Sequence, residues 1–294
     1  MIECIYEKQN SRKGFLLIMK YFKQIITTVL IALLASAYAL FSQPSGIPVL
    51  NYHQINDKDE NALTVSSSQF AAQMDYLKNE GYHTITADEL ADALEKGTKL
   101  PDKPVLISFD DGYLDNYTVA YPILKERDMH AIIFLISDYV GLYPNYLTWP
   151  QILEMQENNI EFGSHTLSHS VLTELGSDEE IEHQLKNSRL AIEWRLARPV
   201  KYLAYPCGYI TESIEALTKS TGYRGAFTVD LGNTHPGDNM YELHRVPIFG
   251  GNTHTLMRFK ARLRAPRFAA FLENCQKTLY RNGFKSLAYM FPTI

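Results

Sequence analysis

PVLISFDDGY (104–113) joins an apolar run, Pro104 to Phe109, to two adjacent carboxylates and a glycine. An apolar run without polar alternation marks a strand buried on both faces, as in a parallel sheet. Further out, AIIFLI (131–136) repeats that character. IPVLNY (47–52), Tyr82 to Ile85, IEFG (160–163), KYLAY (201–205), RGAFTV (224–229) and HRVPIF (244–249) read as additional short strands. Amphipathic stretches separate most of them. One is a helix capped by Ser67 or Ser68, carrying Phe70, Met74 and Leu77 on one face and stopped by Gly81. ADELADALEKG (87–97) and DEEIEHQLKNSRLAIEWRL (178–196) are others. About eight strands alternating with helices predict one parallel α/β domain, and a (β/α) barrel suits that count better than an open sheet. In such barrels the chemistry is carried on loops after the C-terminal ends of the strands.

Four polar groups fall at those ends. Asp110 and Asp111 follow the strand 104–109; two neighbouring carboxylates can point different ways, one toward a metal and one toward a proton. The same Asp-Asp-Gly triplet is also an ordinary turn. His165 and His169 follow 160–163, and their spacing predicts two imidazoles on one side of a helical turn, suited to a divalent metal. Two His and one carboxylate leave a coordination position for water, as catalytic sites do. Ala204-Tyr205-Pro206-Cys207-Gly208 lies at the end of 201–205 and either shapes a turn or presents the backbone N–H of Cys207 as an oxyanion donor. Asn51-Tyr52-His53 closes the first strand, where a single His is as readily a packing residue as a catalyst.

Composition narrows the classes. The 294 residues are 46% hydrophobic, which excludes a disordered chain, and the net charge of −5 argues against a nucleic-acid binder. Cys4, Cys207 and Cys275 are too few for a disulfide scaffold or a Cys₄ zinc site. The charge is uneven: residues 44–252 hold 15 basic and 30 acidic side chains, between a basic leader and a basic tail. Lys20 and Lys23 precede the uncharged run Ile25 to Phe41, which carries the small-residue patterns Ala35-Ser36-Ala37 and Ala37-Tyr38-Ala39 in its second half. That is the layout of a secretory signal peptide over residues 1–43, with an uncleaved membrane anchor as the alternative and Met19 as an alternative start. The expected location is outside the cell or on the outer face of its membrane. From 253 to 294, Phe268, Phe271, Leu272, Cys275 and Leu279 recur at helical spacing after Pro266 breaks a helix around Leu256–Leu263. This predicts a basic helical extension packed by its apolar face on the barrel; a surface meeting anionic wall polymer or lipid headgroups is the alternative.

SFDDGY (108–113), GSHTLSH (163–169) with Leu172-Thr173, and AYPCG (204–208) resemble, in order, the first three motifs of the NodB-type polysaccharide deacetylases, carbohydrate esterase family 4. The resemblance runs from about Ile47 to Gly250. IPVLNYH and HRVPIF look most like the branch acting on poly-β-1,6-N-acetylglucosamine, the exopolysaccharide of biofilms. It implies a single distorted TIM-like barrel, the NodB homology domain, over residues 44–252. It also implies Asp110 as general base, with Asp111, His165 and His169 holding a divalent metal, zinc by ligand type, and the Cys207 N–H as oxyanion donor. Two departures stand out: Ala204 occupies the place of an Arg that orients the base, and Cys207 that of a Tyr. The family's late Leu-x-His motif carries the general acid, and Leu243-His244 departs from that pattern. The biofilm branch is circularly permuted, which gives that role to His53, with His244 as competitor.

The implied activity is hydrolysis of N-acetyl groups on an extracellular N-acetylglucosamine polymer, and an acidic domain suits a product that becomes cationic. Peptidoglycan or chitooligosaccharides are alternative substrates. A non-catalytic cell-surface carbohydrate-binding protein has no need of the Asp-Asp-His-His set. A metal-dependent phosphoesterase lacks its phosphate loop here. Tyr113, Trp149 and Tyr205 are candidates for stacking on sugar rings.

Overall fold

The computed structural model describes residues 46–250, 255–264 and 266–285, with 19, 21, 23–29, 31–33 and 36 toward the N-terminus. The chain forms two units, Met1–Pro44 and Ser45–Ile294. The described residues of the first are helical and exposed. Among the described residues, no helix is long and apolar enough to cross a membrane. Most of the leader pattern, and Cys4, lie outside the described residues.

The second unit is built on a closed ring of parallel strands. Val49–Tyr52 (β1) is followed by a small pair, Gln54–Ile55 (β2) and Thr64–Val65 (β3), and by His83–Thr84 (β4). Then come Pro104–Phe109 (β5), Ala131–Leu135 (β6), Ile160–Ser164 (β7), Tyr202–Ala204 (β8), Gly225–Leu231 (β9) and Leu243–Pro247 (β10). β5 to β10 are neighbours in chain order, β10 pairs with β1, and β1 returns to β5 from Val49↔Leu106 to Tyr52↔Phe109. The ring therefore has seven strands, one fewer than the apolar runs suggest. β4 is the difference: its two residues pair only with Pro104 and Val105, at the entry of β5, and stand outside the ring.

The helices are Ser67–Asn79 (α1), Ala87–Lys96 (α2), Tyr121–Glu126 (α3), Trp149–Gln156 (α4), Asp178–Leu196 (α5), Glu212–Ser220 (α6), Leu256–Arg264 (α7) and Pro266–Arg281 (α8). Ser66, one residue before the expected caps, caps α1 by accepting from the Gln69 N–H. Strand periodicity sorts the core into two layers. Val49, Leu106, Ile132, Phe134, Tyr202, Ala204, Phe227 and Leu243 cluster with Leu90, Ala91 and Leu94 of α2. Alternate positions such as Leu50, Ile107, Ile133 and Val246 form the larger cluster with the other helices. The α2 helix is fixed by a Thr86–Glu89 capping box and stopped by Gly97 at φ 69°. Gly163 shows how close the strands approach: a Cβ there would lie 2.5 Å from the Phe134 ring and 2.9 Å from the Tyr202 carbonyl. Phe259 and Leu263 of α7 join the larger cluster, and Ala269 and Leu272 of α8 are buried, while Phe271 is half exposed. The Phe268 side chain lies outside the description.

Candidate active site

Leu106 faces the inner cluster, and Asp110 continues its phase of β5 past the strand end. On β10, Arg245 likewise shares the phase of Leu243. Both side chains are buried, and the guanidinium grips the carboxylate as a fork: Nη1 donates to Oδ1 and Nη2 to Oδ2, each at 2.7 Å. Arg245 Nε also donates to the Thr228 carbonyl at 2.7 Å. Asn51 Nδ2 donates to Asp110 Oδ2 at 3.0 Å, and His53 Nε2 stands 4.0 Å from the same oxygen. Burial alone would raise the Asp110 pKa; the Arg245 charge and hydrogen bonds, with the neighbouring His165 and His53, together outweigh it and hold the carboxyl well below its usual range. Three of roughly four acceptor positions are thus filled. A carboxylate held this way is ionised and oriented.

Asp111 leaves the strand in the left-handed region, at φ 76°, and turns away from its neighbour. Its Oδ1 lies 3.5 Å from His165 Nε2 and 3.4 Å from His169 Nε2. That buried oxygen has no hydrogen-bond partner among the described residues. The three groups form the one set of acidic and imidazole ligands, among the described residues, that a single cation could bridge. An orphaned carboxylate oxygen facing two imidazole nitrogens fits a divalent metal. His165 Nδ1–H donates to the Ala204 carbonyl at 2.7 Å, which leaves Nε2 as the free lone pair toward Asp111. Burial pushes the His165 pKa down to about 4, favouring the neutral ligand form.

The two histidines are not on a helical turn. His165 follows β7 directly and binds the Leu135 carbonyl through its N–H; Thr166 and His169 adopt φ 66° and 59°. The loop is pinned from outside, since Ser137 N–H donates to the Thr166 carbonyl and Ser168 N–H to Gln184 of α5. The rings still meet, with centroids 4.9 Å apart. Cys207 is also left-handed, at φ 58°. Asp111, Thr166, His169 and Cys207 therefore place four strained non-glycine backbones at one mouth, a pattern that accompanies functional sites. Gly208 beside them is obligatory: φ is 74°, and a Cβ would lie 2.5 Å from Val229.

A cleft of about 830 Å³ opens over these groups, and His53, Cys207, Tyr113 and His244 all line it. His53 follows β1; burial lowers its pKa, and its Nδ1 is buried without a partner among the described residues. Of the aromatic candidates, Tyr113 reaches the cleft and stacks on Tyr146 at 5.0 Å. Tyr205 does not: it is fully buried, with its hydroxyl bound to Thr218. Trp149 packs against the core under Arg195, and Tyr209 lines the cleft instead. Arg245 is the residue that sequence reasoning missed. Its signal was a charge in phase with Leu243 inside an apolar strand, where burial demands a counter-charge.

The sequence model of the polysaccharide deacetylase family matches residues 97–226. "Putative polysaccharide deacetylase YxkH" of Bacillus subtilis is 34% identical over 216 residues, covering 74% of this chain and 76% of that protein. The poly-β-1,6-N-acetyl-D-glucosamine N-deacetylase of Staphylococcus epidermidis is 27% identical over 235 residues, covering 71% of this chain and 81% of that one. Among solved structures, the Streptococcus pyogenes deacetylase PplD in complex with acetate superposes with a TM-score of 0.70 at 27% identity, over 75% of this chain and 99% of that one. Likeness in fold and in sequence thus converges on one class of hydrolase, and the chain belongs to the polysaccharide deacetylase family.

Proposed function

We propose that the chain removes N-acetyl groups from poly-β-1,6-N-acetylglucosamine outside the cell, with zinc held by Asp111, His165 and His169. The observation that carries the reading is the orphaned Asp111 oxygen between two imidazoles, beside a carboxylate oriented by Arg245. The similarity to a staphylococcal deacetylase of that polymer supports the substrate, and the basic, apolar leader supports export. A bound divalent cation supplies Lewis acidity toward water and toward the acetamide carbonyl. Asp110, ionised and with one acceptor position left, takes the proton from attacking water. The Cys207 N–H donates to the oxyanion of the tetrahedral intermediate. His53 protonates the departing amine, which is a poor leaving group until it gains a proton. His53 Nε2 lies 4.0 Å from Asp110, so acid and base meet at one reacting centre.

The test is acetate release from a β-1,6-linked N-acetylglucosamine oligomer, with chitin oligomers and peptidoglycan in parallel, before and after chelation. Asp110→Asn should lower kcat at least about 100-fold, the scale of general-base catalysis, while metal content stays at the wild-type level. Near wild-type turnover in Asp110→Asn refutes the base assignment, and release from chitin or peptidoglycan alone refutes the substrate.

A further inference from the structure

α8 lies far beyond the residues that carry the reacting groups, yet one of its faces forms part of the catalytic cleft. Ala270, Glu273, Asn274 and Lys277 line the cleft together with Asp110, Asp111 and the two histidines. Their spacing is that of a single helix face. The helix is fixed there by a buried cation. Arg262 of α7 donates Nη1 to the Pro247 carbonyl at 2.9 Å and Nη2 to Glu273 Oε1 at 2.5 Å. Pro247 ends β10, the strand that carries Arg245, so the wall is tied to the same strand as the base's partner.

Glu273 is engaged by Arg262, whereas Asn274 and Lys277 are exposed and make no ion pair or side-chain hydrogen bond among the described residues. An amide and an ammonium offer donors suited to hydroxyl, ring and acetamide oxygens of a neutral sugar. The cleft, at about 830 Å³, lies in the upper part of the roughly 300–1,000 Å³ range of small-molecule sites. It also continues: a second hollow of about 620 Å³ shares Leu231, His244, Ala270 and Asn274 with it. A groove that runs on along α8 suits a polymer more than a single sugar.

We propose that α8 is the binding wall for the sugar unit flanking the one that is deacetylated, with Asn274 and Lys277 as its positioning residues. This rests on the polysaccharide reading above. The experiment measures KM and kcat of Asn274→Ala, Lys277→Ala and the double variant on a β-1,6-linked N-acetylglucosamine pentamer. Hydrolysis of 4-nitrophenyl acetate reports the reacting centre alone, and Met257→Ala on α7, exposed and outside both hollows, serves as control. Each cleft-facing substitution should raise the pentamer KM by roughly 3- to 10-fold at little cost in kcat, the signature of lost uniform binding, with ester hydrolysis and the control unchanged. An unchanged pentamer KM in the double variant overturns the proposal. So does a parallel loss on pentamer and ester, which would mean that α8 merely supports the fold. Wild-type protein that releases no acetate from the pentamer overturns the proposed function itself, and this wall with it.

Discussion

Exchanging Arg245 for methionine removes a fully buried cation and strands everything it holds. Asp110 loses two of its three hydrogen bonds, and the Thr228 carbonyl loses its donor at 2.7 Å. Breaking one side of a buried ion pair costs about 3–5 kcal/mol, and an orphaned carbonyl adds about 1 kcal/mol. Against a typical total of about 5–15 kcal/mol, Arg245→Met is expected to fold poorly, and Arg245→Lys, which keeps the charge but not the fork, should fall between it and wild type. Asp110→Asn should also destabilise, because it leaves Arg245 as the uncompensated charge. The double variant Asp110→Asn/Arg245→Met removes both charges and should be at least about 2 kcal/mol more stable than the sum of the single effects predicts. Guanidinium unfolding of the four proteins at neutral pH measures the cycle. The pH dependence supplies the sign. In wild type the depressed Asp110 carboxyl contributes stability above its unfolded pKa of about 4, and this is lost as pH falls further. In Arg245→Met, burial is left to raise that pKa, so stability should fall as pH rises through it. Single effects below about 1 kcal/mol, or effects that add within about 0.5 kcal/mol, would refute the reading of Arg245 as the clamp on the base.

Zinc at about 100 times its dissociation constant should stabilise the protein by about 2.7 kcal/mol in a thermal scan, and His169→Ala should abolish the shift; a wild type indifferent to zinc contradicts the ligand assignment. Glu161, which accepts the Ala87 N–H at 2.8 Å, is pushed by burial up to about 7 from 4.5. The folded state then binds the extra proton between those values, so the contribution of Glu161 to stability should fall across that window by at most about 3 kcal/mol, opposed by the depressed His165, whose contribution rises with pH. Glu161→Gln should remove this contribution and so gain relative to wild type as pH rises; a change in unfolding midpoint from pH 5 to pH 8 that is the same in Glu161→Gln and wild type would exclude the effect. His53→Ala should lose far more kcat than His244→Ala, and the opposite order transfers the acid role to His244.

The strands were legible where burial on both faces leaves an unbroken apolar run, as in Pro104–Phe109 and Ala131–Leu135. Membership of the ring was not, because a short apolar run reports a strand and says nothing of which neighbour it meets. β4 is a strand, but only at the entry of β5. Residue type and order identified the Asp-His-His set. The local geometry behind it escaped, since His165 and His169 are brought together by left-handed turns pinned to α5 and to the segment after β6. Its place at a strand end misled for Tyr205, whose hydroxyl turns to Thr218 and away from the cleft, and the cleft-lining face of α8 depends on where Arg262 finds a carbonyl and a carboxylate.

The Ala204 position shows why a motif slot and a physical role can separate. The proposed base, Asp110, is held by a guanidinium within reach of both its oxygens, and any strand whose inward phase ends near β5 can supply one. β1 lies between β5 and β10 in the closed ring, and Asn51, Asp110 and Arg245 converge from those three strands. An arginine 135 positions away in the chain therefore supplies the guanidinium contact that the family resemblance places at the Ala204 position. Ala204 contributes its carbonyl instead, accepting from His165 and aiming that imidazole at Asp111. What looks like a degraded motif in the linear order is a complete set of contacts once the ring closes, and the Arg245 cycle tests that equivalence directly.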